Sequence, residues 1–399
     1  MKTGLVLGGG GSRGAYEIGV WQALRELGIR IDVVTGTSVG AINGALVCQG
    51  SFDLAVDLWR GLETHMVFDV GEDKKISDHF DFNFNIAGMP VDHLNAYAKE
   101  ILTKGGADAT GLKKMLNQHL EEEKIRQSPV EYGLVAVEYP AMIPYYLKKQ
   151  DIPAGRMADY ILASAACFPA VKTVEIDNKK FIDGGYSDNL PIQLAYDLGA
   201  ERIIAVDLDA IGIKKIPKDS PDQPLTIISS SWDLGNFLVF DKVNSRRILR
   251  LGYLDTMKQF QVFDGRAFTF SHGDFHKKEI PGADAAAEIF QLDPEIIYTR
   301  DILNQSLRLA ILEYRNRNLK NENNKKTLLD RIKEDLLKIQ RDLGSRSIAL
   351  QMATNMIQNP ESPGLIIARG AKKILRKELE ASEFLAKYFS DVIEPKKLP

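Results

Sequence analysis

The first fifty residues alternate short apolar runs with longer segments of helical periodicity. GLVLGG (4–9) and IDVVTG (31–36) are typical of buried strands, whereas GAYEIGVWQALRELG (14–28) and VGAINGALVCQ (39–49) are typical of helices. Gly28 follows the last turn of the first predicted helix, where glycine commonly ends helices. Strands that alternate with helices predict a parallel sheet covered by helices.

The alternation continues to about residue 210. Further strands are predicted at EYGLVAVEYP (131–140), PYYLKKQDI (144–152) and ERIIAVDLDA (201–210), and RMADYILASAA (156–166) has a helical pattern. Two short strands flank DNKK (177–180). The predicted fold class is therefore α/β, with a central, mostly parallel sheet flanked by helices and a helical C-terminal extension.

The pattern differs in two other regions. Residues 52–128 are mostly helical in pattern, but HFDFNFN (79–85) alternates phenylalanine with polar residues, as a half-buried strand or the lining of an apolar channel would. KKIPKDSPDQP (214–224) is typical of a linker or long loop, and the rest of the chain is helical in pattern. We expect three parts: an α/β domain (1–210), a downstream extension packed on it (211–300) and a helical, basic region (301–399).

Composition excludes few functions. The 399 residues are 44% hydrophobic and 26% charged, as in ordinary globular proteins, and the net charge of -3 indicates no particular partner and no nucleic acid. Residues 301–399, however, hold 19 Lys or Arg against 13 Asp or Glu, a balance typical of a solvated helical tail or of a segment that binds anionic surfaces. Cys48 and Cys167 lie in apolar surroundings, which suits reduced thiols. The N-terminal apolar run is too short for a signal peptide and no stretch is long enough to span a membrane, so we expect a cytoplasmic protein, with peripheral membrane contact left open.

A glycine-rich loop joins the first predicted strand to the first helix. Gly9, Gly11 and Gly14 have the G-x-G-x-x-G spacing of dinucleotide-binding loops, and Asp32 lies about 20 residues on, near where such folds place a ribose-binding acid. Asp32 opens its strand, however, whereas the ribose acid belongs at the strand's far end. The amides of such a loop also suit other anions, including the oxyanion of an acyl-transfer reaction. A dinucleotide-binding oxidoreductase therefore stays as an alternative.

The pentapeptide GTSVG (36–40) places Ser38 between the second strand and the second helix. G-x-S-x-G at such a turn is the pattern of a nucleophilic serine, because small residues such as Gly36 and Gly40 let strand and helix approach closely. Neighbouring parallel strands end at one edge of the sheet, so Ser38 should lie beside the glycine loop. An ordinary turn serine has the same five letters, so the pentapeptide alone does not decide.

A nucleophilic serine needs a base. None of the six histidines has a sequence setting typical of a catalytic triad: His65, His79, His93, His119, His272 and His276. Asp183 follows an apolar strand end and precedes Gly184 and Gly185, so its carboxylate would be presented from a turn with open backbone around it. A plain hairpin is the other interpretation, because Asp-Gly is a strong hairpin signal.

Three motifs, taken together and in order, resemble the patatin-like phospholipases: GGGGSRG (8–14), GTSVG and DGGYSDNLP (183–191). ILASAACFPAV (161–171) is similar to the segment that those proteins carry before their aspartate, and the resemblance covers residues 2–209. Residues 233–260 also look similar to a downstream extension of bacterial members. The resemblance implies an α/β fold and hydrolysis of lipid acyl esters by a Ser–Asp dyad, with a glycine-rich loop as oxyanion hole.

The resemblance also implies roles for individual residues. Ser38 would be the nucleophile and Asp183 the base, supported by the elbow glycines Gly36 and Gly40 and by the motif glycines Gly184 and Gly185. Arg13 would order the glycine loop. The expected oxyanion-hole segment comprises Gly9, Gly10, Gly11, Ser12, Arg13 and Gly14. The family often has Pro where Cys167 stands, a difference that should alter loop shape rather than the dyad.

The predicted function is therefore a serine lipid acyl hydrolase that acts through an acyl-enzyme, with no cofactor and no metal. Residues around Phe80–Phe84 and Leu94–Leu120 are expected to shape the acyl site. The amphipathic segment GLIIARGAKKILRKEL (364–379) is expected either to contact a membrane or to pack on the catalytic domain, and packing is favoured. The alternatives are the oxidoreductase and a lipid-binding protein with an inactive site.

Overall fold

The computed structural model describes most of the chain, namely residues 1–68, 108–217, 223–319, 342–361, 365, 368, 370 and 373–393. The chain divides into two compact units, residues 1–256 and residues 257–399. The three-part division expected from the sequence stays a prediction. HFDFNFN (79–85) and the start of Leu94–Leu120 lie outside the described residues. Within the described ranges, no helix is long and apolar enough to cross a bilayer.

The first unit is built around one sheet with helices against it. Its strands are β1 (Thr3–Leu7), β2 (Val33–Thr37), β3 (Glu131–Tyr139), β4 (Ile143–Lys148), β5 (Val174–Ile176), β6 (Lys179–Asp183), β7 (Arg202–Asp207) and β8 (Leu225–Ser229). Its helices are α1 (Ala15–Glu26), α2 (Val39–Gln49), α3 (Phe52–Gly61), α4 (Thr64–Val67), α5 (Thr110–His119), α6 (Glu122–Gln127), α7 (Met157–Ser164), α8 (Ile192–Asp197) and α9 (Lys242–Gln259), which continues into the second unit. Short 3-10 turns follow β1 at Gly11–Gly14 and β6 at Gly184–Tyr186.

The strand order is β5-β6-β3-β2-β1-β7-β8, with β4 paired to β3. The five strands from β3 to β8 in this order are parallel neighbours. Strands β4 and β6 pair antiparallel with β3, and β5 pairs antiparallel with β6. The predicted α/β fold with a mostly parallel sheet is confirmed.

Apolar strands buried on both faces explain why this sheet could be predicted. Every residue of β1 and β2 is buried, as expected for central parallel strands covered by helices. Val6, Val33 and Ile203 from three adjacent strands pack in one cluster with Leu190 and Ile192, which lie just after the predicted catalytic aspartate. The core therefore extends to the carboxyl edge of the sheet.

Strand β3 brings the ends of β2 and β6 together. Strand β4 pairs with one edge of β3, along residues that also pair with β2 and with β6. Strands β2 and β6 must therefore both pair with the other edge of β3. Strand β2 runs parallel to β3 and β6 runs antiparallel. Their carboxyl ends therefore meet head-on: Thr37 pairs with Val135, and Asp183 pairs with the next residue, Ala136.

The prediction that the chain is wholly helical beyond residue 224 is wrong. Strand β8 extends the main sheet, and three short strands form a second sheet in the order β11-β10-β9: β9 (Phe263–Asp264), β10 (Thr269–Ser271) and β11 (Ile297–Tyr298). Strands of two or three residues are too short to show a period, and β8 is an edge strand that leaves Ile227 37% exposed. Pairing with a neighbouring strand, rather than local pattern, defines these elements.

The second unit is otherwise helical. Its remaining helices are α10 (Ile280–Ile289), α11 (Arg300–Leu319), α12 (Asp342–Gln358), α13 (Arg376–Tyr388) and α14 (Ser390–Ile393). The apolar residues Leu365, Leu375 and Leu379 of the amphipathic segment 364–379 are buried in a cluster with Ile348 and Met352 of α12. These residues pack within the C-terminal unit. Contact of the segment with a membrane stays a prediction, and so does its packing on the catalytic domain.

Candidate active site

Ser38 occupies a sharp turn between β2 and α2. Its backbone has φ 57° and ψ -127°, a conformation that a residue with a side chain adopts only when its surroundings enforce it. A Cβ atom on Gly36 would lie 2.1 Å from the Gly40 carbonyl oxygen, and one on Gly40 would lie 2.2 Å from the Leu7 carbonyl oxygen. The strand-turn-helix setting predicted from GTSVG is confirmed, and both flanking positions require glycine.

A buried serine outside the pentapeptide holds this turn. The backbone amide of Ser38 donates a hydrogen bond to Ser164 Oγ at 3.0 Å, and Ser164 Oγ donates to the Val135 carbonyl oxygen at 2.6 Å. Ser164 is fully buried at the end of α7. Sequence reasoning missed this residue; the only available signal was its place in the segment 161–171 that resembles the family.

Asp183 lies beside Ser38, as the meeting of β2 and β6 requires. The Ser38 hydroxyl lies beside the carboxylate, which accepts the Gly185 amide at 2.7 Å. Ser38 is 9% exposed and Asp183 6% exposed, so the pair lies in a nearly closed site. Burial raises the pKa of Asp183 to about 6, although the neighbouring Ser38 hydroxyl and the Gly185 amide both act to lower it.

The glycine loop lies against the serine, but its amides are not equivalent. Gly9 is so close that a Cβ atom there would be 3.1 Å from Ser38 Cβ, yet its own amide donates to the Asn189 carbonyl oxygen at 3.1 Å. The amides of Ser12 and Arg13 donate to the carbonyl oxygens of Phe237 and Gly10. The backbone amides of Gly10 and Gly11 donate no hydrogen bond to any of the described residues.

The end of the loop supports its shape. The Arg13 guanidinium donates to the carbonyl oxygens of Gly235, Leu208 and Asp209 at 2.8, 3.2 and 2.8 Å, so it ties the loop to two others. Gly14 packs against α2 and α3, where a Cβ atom would be 2.5 Å from Val39 Cγ2. Residues 12–14 thus position the loop rather than present amides to Ser38.

Asn189 is a second residue that sequence reasoning missed. Its side-chain amide donates to the Gly9 carbonyl oxygen at 3.3 Å, while its own carbonyl accepts the Gly9 amide. This two-way contact clamps the glycine loop to the segment that carries Asp183. DGGYSDNLP contains Asn189, but nothing in the letters indicated which loop it would bind.

A second buried carboxylate, Asp188, lies five residues after Asp183. It is 1% exposed, and burial raises its pKa to about 6. Its carboxylate accepts the Tyr146 hydroxyl at 3.3 Å and the Leu190 amide at 3.3 Å, and its carbonyl accepts the Thr37 hydroxyl at 2.7 Å. The backbone of Asp188 therefore holds the end of β2 in place through the Thr37 hydroxyl.

The amino end of α2 points at the turn that carries Ser38. Ala41 and Ile42 donate their amides to the Ser38 carbonyl oxygen, so the first amides of the helix, those of Val39 and Gly40, remain directed toward the turn. A helix N-terminus favours negative charge. Together with Gly10 and Gly11, it makes the surroundings of Ser38 suited to an anion.

The dinucleotide interpretation is not supported by the position of Asp32. Strands β1 and β2 are parallel, with Gly4 opposite Val33 and Leu7 opposite Gly36, so Asp32 lies at the edge of the sheet remote from the glycine loop. There its carboxylate accepts the Thr3 amide at 3.0 Å and pairs with Arg30. An acid at that edge cannot bind the ribose of a nucleotide held by the loop.

Cys167 lacks the thiolate character of a nucleophilic cysteine. It is a free cysteine near Asp183, and burial raises its pKa to about 12, which keeps it a thiol at neutral pH. Cys48 is also free and is buried, with its sulfur 3.3 Å from the Val130 carbonyl oxygen. Both cysteines are packed groups, as their apolar sequence settings predicted.

Comparison with known proteins finds sequence similarity over the part of the chain that carries this site. The sequence model of the family described as Patatin-like phospholipase matches residues 5–196. Lysophospholipase NTE1 of Cryptococcus neoformans var. neoformans serotype D is 27% identical over 277 residues, which are 65% of this chain and 14% of that protein. Neuropathy target esterase sws of Drosophila melanogaster is 29% identical over 227 residues, which are 52% of this chain and 13% of that protein. The chain thus spans a small part of the length of these relatives.

One solved structure aligns with this chain at low similarity. The crystal structure of VipD from Legionella pneumophila aligns with a TM-score of 0.41 and 16% sequence identity, covering 100% of this chain and 92% of that one.

Proposed function

Residues 5–196 belong to the patatin-like phospholipase family, and on that premise we propose that this chain is a serine lipid acyl hydrolase with Ser38 as nucleophile and Asp183 as base. The observation that carries the proposal is the placement of the Ser38 side chain, on its strained turn, beside the buried Asp183 carboxylate. A serine next to a positioned base is the arrangement that nucleophilic catalysis requires.

In the proposed first half-reaction, Asp183 accepts the Ser38 hydroxyl proton while Ser38 Oγ attacks the ester carbonyl carbon. The carbonyl oxygen becomes an oxyanion, held by the amides of Gly10 and Gly11 and by the amino end of α2. Each such donor typically contributes about a hundredfold to a thousandfold in rate. The intermediate collapses, protonated Asp183 returns the proton to the leaving alcohol, and an acyl-enzyme remains.

In the second half-reaction, Asp183 accepts a proton from water, and the resulting hydroxide oxygen attacks the acyl carbonyl. Collapse releases the fatty acid, and the proton returns to Ser38 Oγ. A carboxyl group with a pKa of about 6 is mostly ionised at pH 7 yet still basic enough to accept a proton in the transition state. Every step is performed by groups of this chain, water and substrate.

The proposed substrate is an acyl ester of a phospholipid or lysophospholipid. This rests on the family and on the names of similar proteins, among them a lysophospholipase and an esterase. The cytoplasmic location and the shaping of the acyl site by residues 94–120 remain proposals of the same kind.

The test is hydrolysis of a chromogenic medium-chain ester and a fluorogenic phospholipid by the wild-type chain, Ser38→Ala and Asp183→Asn. Both variants should lose activity by roughly four orders of magnitude or more, because the two residues act as a unit. Ser38→Ala should also lose labelling by a fluorophosphonate probe.

Asp32→Asn is the matched control. This carboxylate lies at the other edge of the sheet, so its substitution should leave hydrolysis unchanged, whereas a dinucleotide enzyme would depend on it. Full activity in Asp183→Asn would contradict the dyad.

A further inference from the structure

The loop that follows β7 exposes three isoleucines to water. In residues 209–217, which we call the isoleucine loop, Ile211 is 81% exposed, Ile213 53% and Ile216 48%. Single exposed apolar residues are common on protein surfaces, but three within six residues form a local cluster. Burying them elsewhere would gain free energy, so their exposure requires an explanation.

The backbone of this loop is fixed rather than free. The Ile213 amide donates to the Gly185 carbonyl oxygen at 3.0 Å, and the Asn189 amide donates to the Ile213 carbonyl oxygen at 2.6 Å. Arg13 binds the Asp209 carbonyl oxygen from the glycine loop. The isoleucine side chains are therefore held outward by a backbone that is itself hydrogen-bonded.

These hydrogen bonds also place the loop next to the turn that carries Asp183. Gly185 and Asn189 belong to the turn that presents Asp183, and Gly185 donates to the Asp183 carboxylate. A surface that contacts the isoleucines is thus within a few residues of the proposed base.

The charge of the loop favours one kind of surface. Lys214 pairs with Asp207 at 2.7 Å, so its charge is neutralised within the chain. Lys215 is exposed, donates to the Tyr146 hydroxyl at 2.8 Å and lies over that ring, and Tyr146 is itself 36% exposed. Apolar side chains beside a tyrosine and a lysine are the composition that binds at the boundary between acyl chains and lipid headgroups.

We infer that the isoleucine loop docks this chain on a phospholipid bilayer, with Ile211 and Ile216 inserted among acyl chains and Lys215 at the level of the headgroups. The inference rests on the proposed function, since a lipid ester reaches Ser38 from a bilayer only if the mouth of the site meets the membrane. The basic C-terminal region, whose segment 364–379 buries Leu365, Leu375 and Leu379, is not required.

The experiment measures sedimentation of the full chain with vesicles of phosphatidylcholine and phosphatidylglycerol, in a Ser38→Ala background so that lipids stay intact. Adding Ile211→Ser and Ile216→Ser together should weaken binding roughly tenfold to a hundredfold. Each substitution removes an aliphatic side chain that the bilayer would otherwise bury. Val243→Ser, at a residue of α9 that is 76% exposed, is the matched control and should bind like the parent.

Lys215→Gln separates the apolar contribution from the charged one. It should weaken binding to the anionic vesicles by about fivefold and leave binding to pure phosphatidylcholine unchanged. With Ser38 intact, the double isoleucine variant should hydrolyse a water-soluble ester at the wild-type rate but cleave vesicle phospholipid more slowly, in parallel with binding.

Equal vesicle binding by the parent and the double isoleucine variant, or no binding by either, would overturn the inference. The exposed isoleucines would then indicate a surface that binds a protein. Isoleucine-dependent binding by a chain that cleaves neither ester would support docking while contradicting the proposed hydrolase function. The two proposals therefore fail separately.

Discussion

Ser38 is held in a backbone conformation that costs on the order of 1–3 kcal/mol, and neighbouring groups must supply that free energy. Ser164 is one of them, because its hydroxyl satisfies both the Ser38 amide and the Val135 carbonyl. Since Val135 pairs with Thr37, the same hydroxyl links the turn to the strand that carries it. The serine turn therefore depends on a residue 126 positions away in the sequence.

We expect Ser164→Ala to lower the free energy of unfolding by about 1–3 kcal/mol, because two buried polar groups lose their partner. Its kcat should fall roughly tenfold with KM little changed, since the substitution loosens Ser38 without removing a group that binds substrate. Ser382→Ala, at a fully buried serine of the C-terminal unit that bonds the Leu379 carbonyl, should lose stability but keep kcat. Equal kcat in both variants would remove the positioning role.

The pKa of Asp183 predicts the pH dependence of activity. A general base works only when ionised, so kcat/KM should rise with pH and level off above a midpoint near pH 6. Asp188 has a similarly raised pKa, so Asp188→Asn serves as the control. If the midpoint persists in Asp188→Asn, Asp183 sets it; if it disappears, Asp188 does.

Residue-scale features divided clearly between those that the sequence predicts and those that it does not. Ser38, Gly36, Gly40 and Asp183 were predictable because their requirements are local: a turn, a close approach of backbone, a strand end. Ser164, Asn189 and Asp188 were not, because what each binds is decided by which loops the sheet brings together. A polar residue in an apolar segment indicates that it has a hydrogen-bond partner, but not which residue that partner is.

At the scale of elements, the fit of α2 against β1 fixes the direction of the serine turn. Gly40 lies in the first turn of α2 and touches the Leu7 carbonyl, so helix and strand approach without side chains between them. The helices α1, α2 and α7 and the buried parallel strands of this unit were predictable from period and apolar runs. The edge strand β8 was not, because it exists by pairing with β7.

Gly40→Ala should lower the free energy of unfolding by about 1–3 kcal/mol, since its Cβ would overlap backbone that cannot move aside. Chemical denaturation measures this loss, and activity should fall with it because α2 carries the turn. Gly61→Ala is the matched control: this glycine also lies in a helix, no atom lies within 4 Å of its added Cβ, and its stability should stay equal or rise slightly. A Gly40→Ala chain as stable as Gly61→Ala would contradict the close fit.

At the scale of the whole molecule, burial of the site carboxyls links activity to the pH dependence of stability. Asp183 binds its proton more tightly in the folded chain, with a pKa of about 6 against 3.8 as the ordinary value. The stability that this group contributes is therefore complete below about pH 4 and is lost as the pH rises through 6.

Asp183→Asn removes that loss, so its stability relative to wild type should increase by about 2–3 kcal/mol between pH 4 and pH 8. Denaturant unfolding at both pH values measures the difference, and taking it relative to wild type cancels the other titrating groups. A pH-independent difference between the two chains would mean that Asp183 is not buried as a charged group.

The head-on meeting of β2 and β6 along β3 also has a consequence for the newly made chain. Synthesis proceeds from the amino end, so the serine turn leaves the ribosome long before its base, and the clamp at Asn189 and the β7 partner of the glycine loop follow later still. A partly translated chain would hold Ser38 without the groups that make it reactive. The proposed hydrolysis would therefore begin only after nearly the whole α/β unit has emerged.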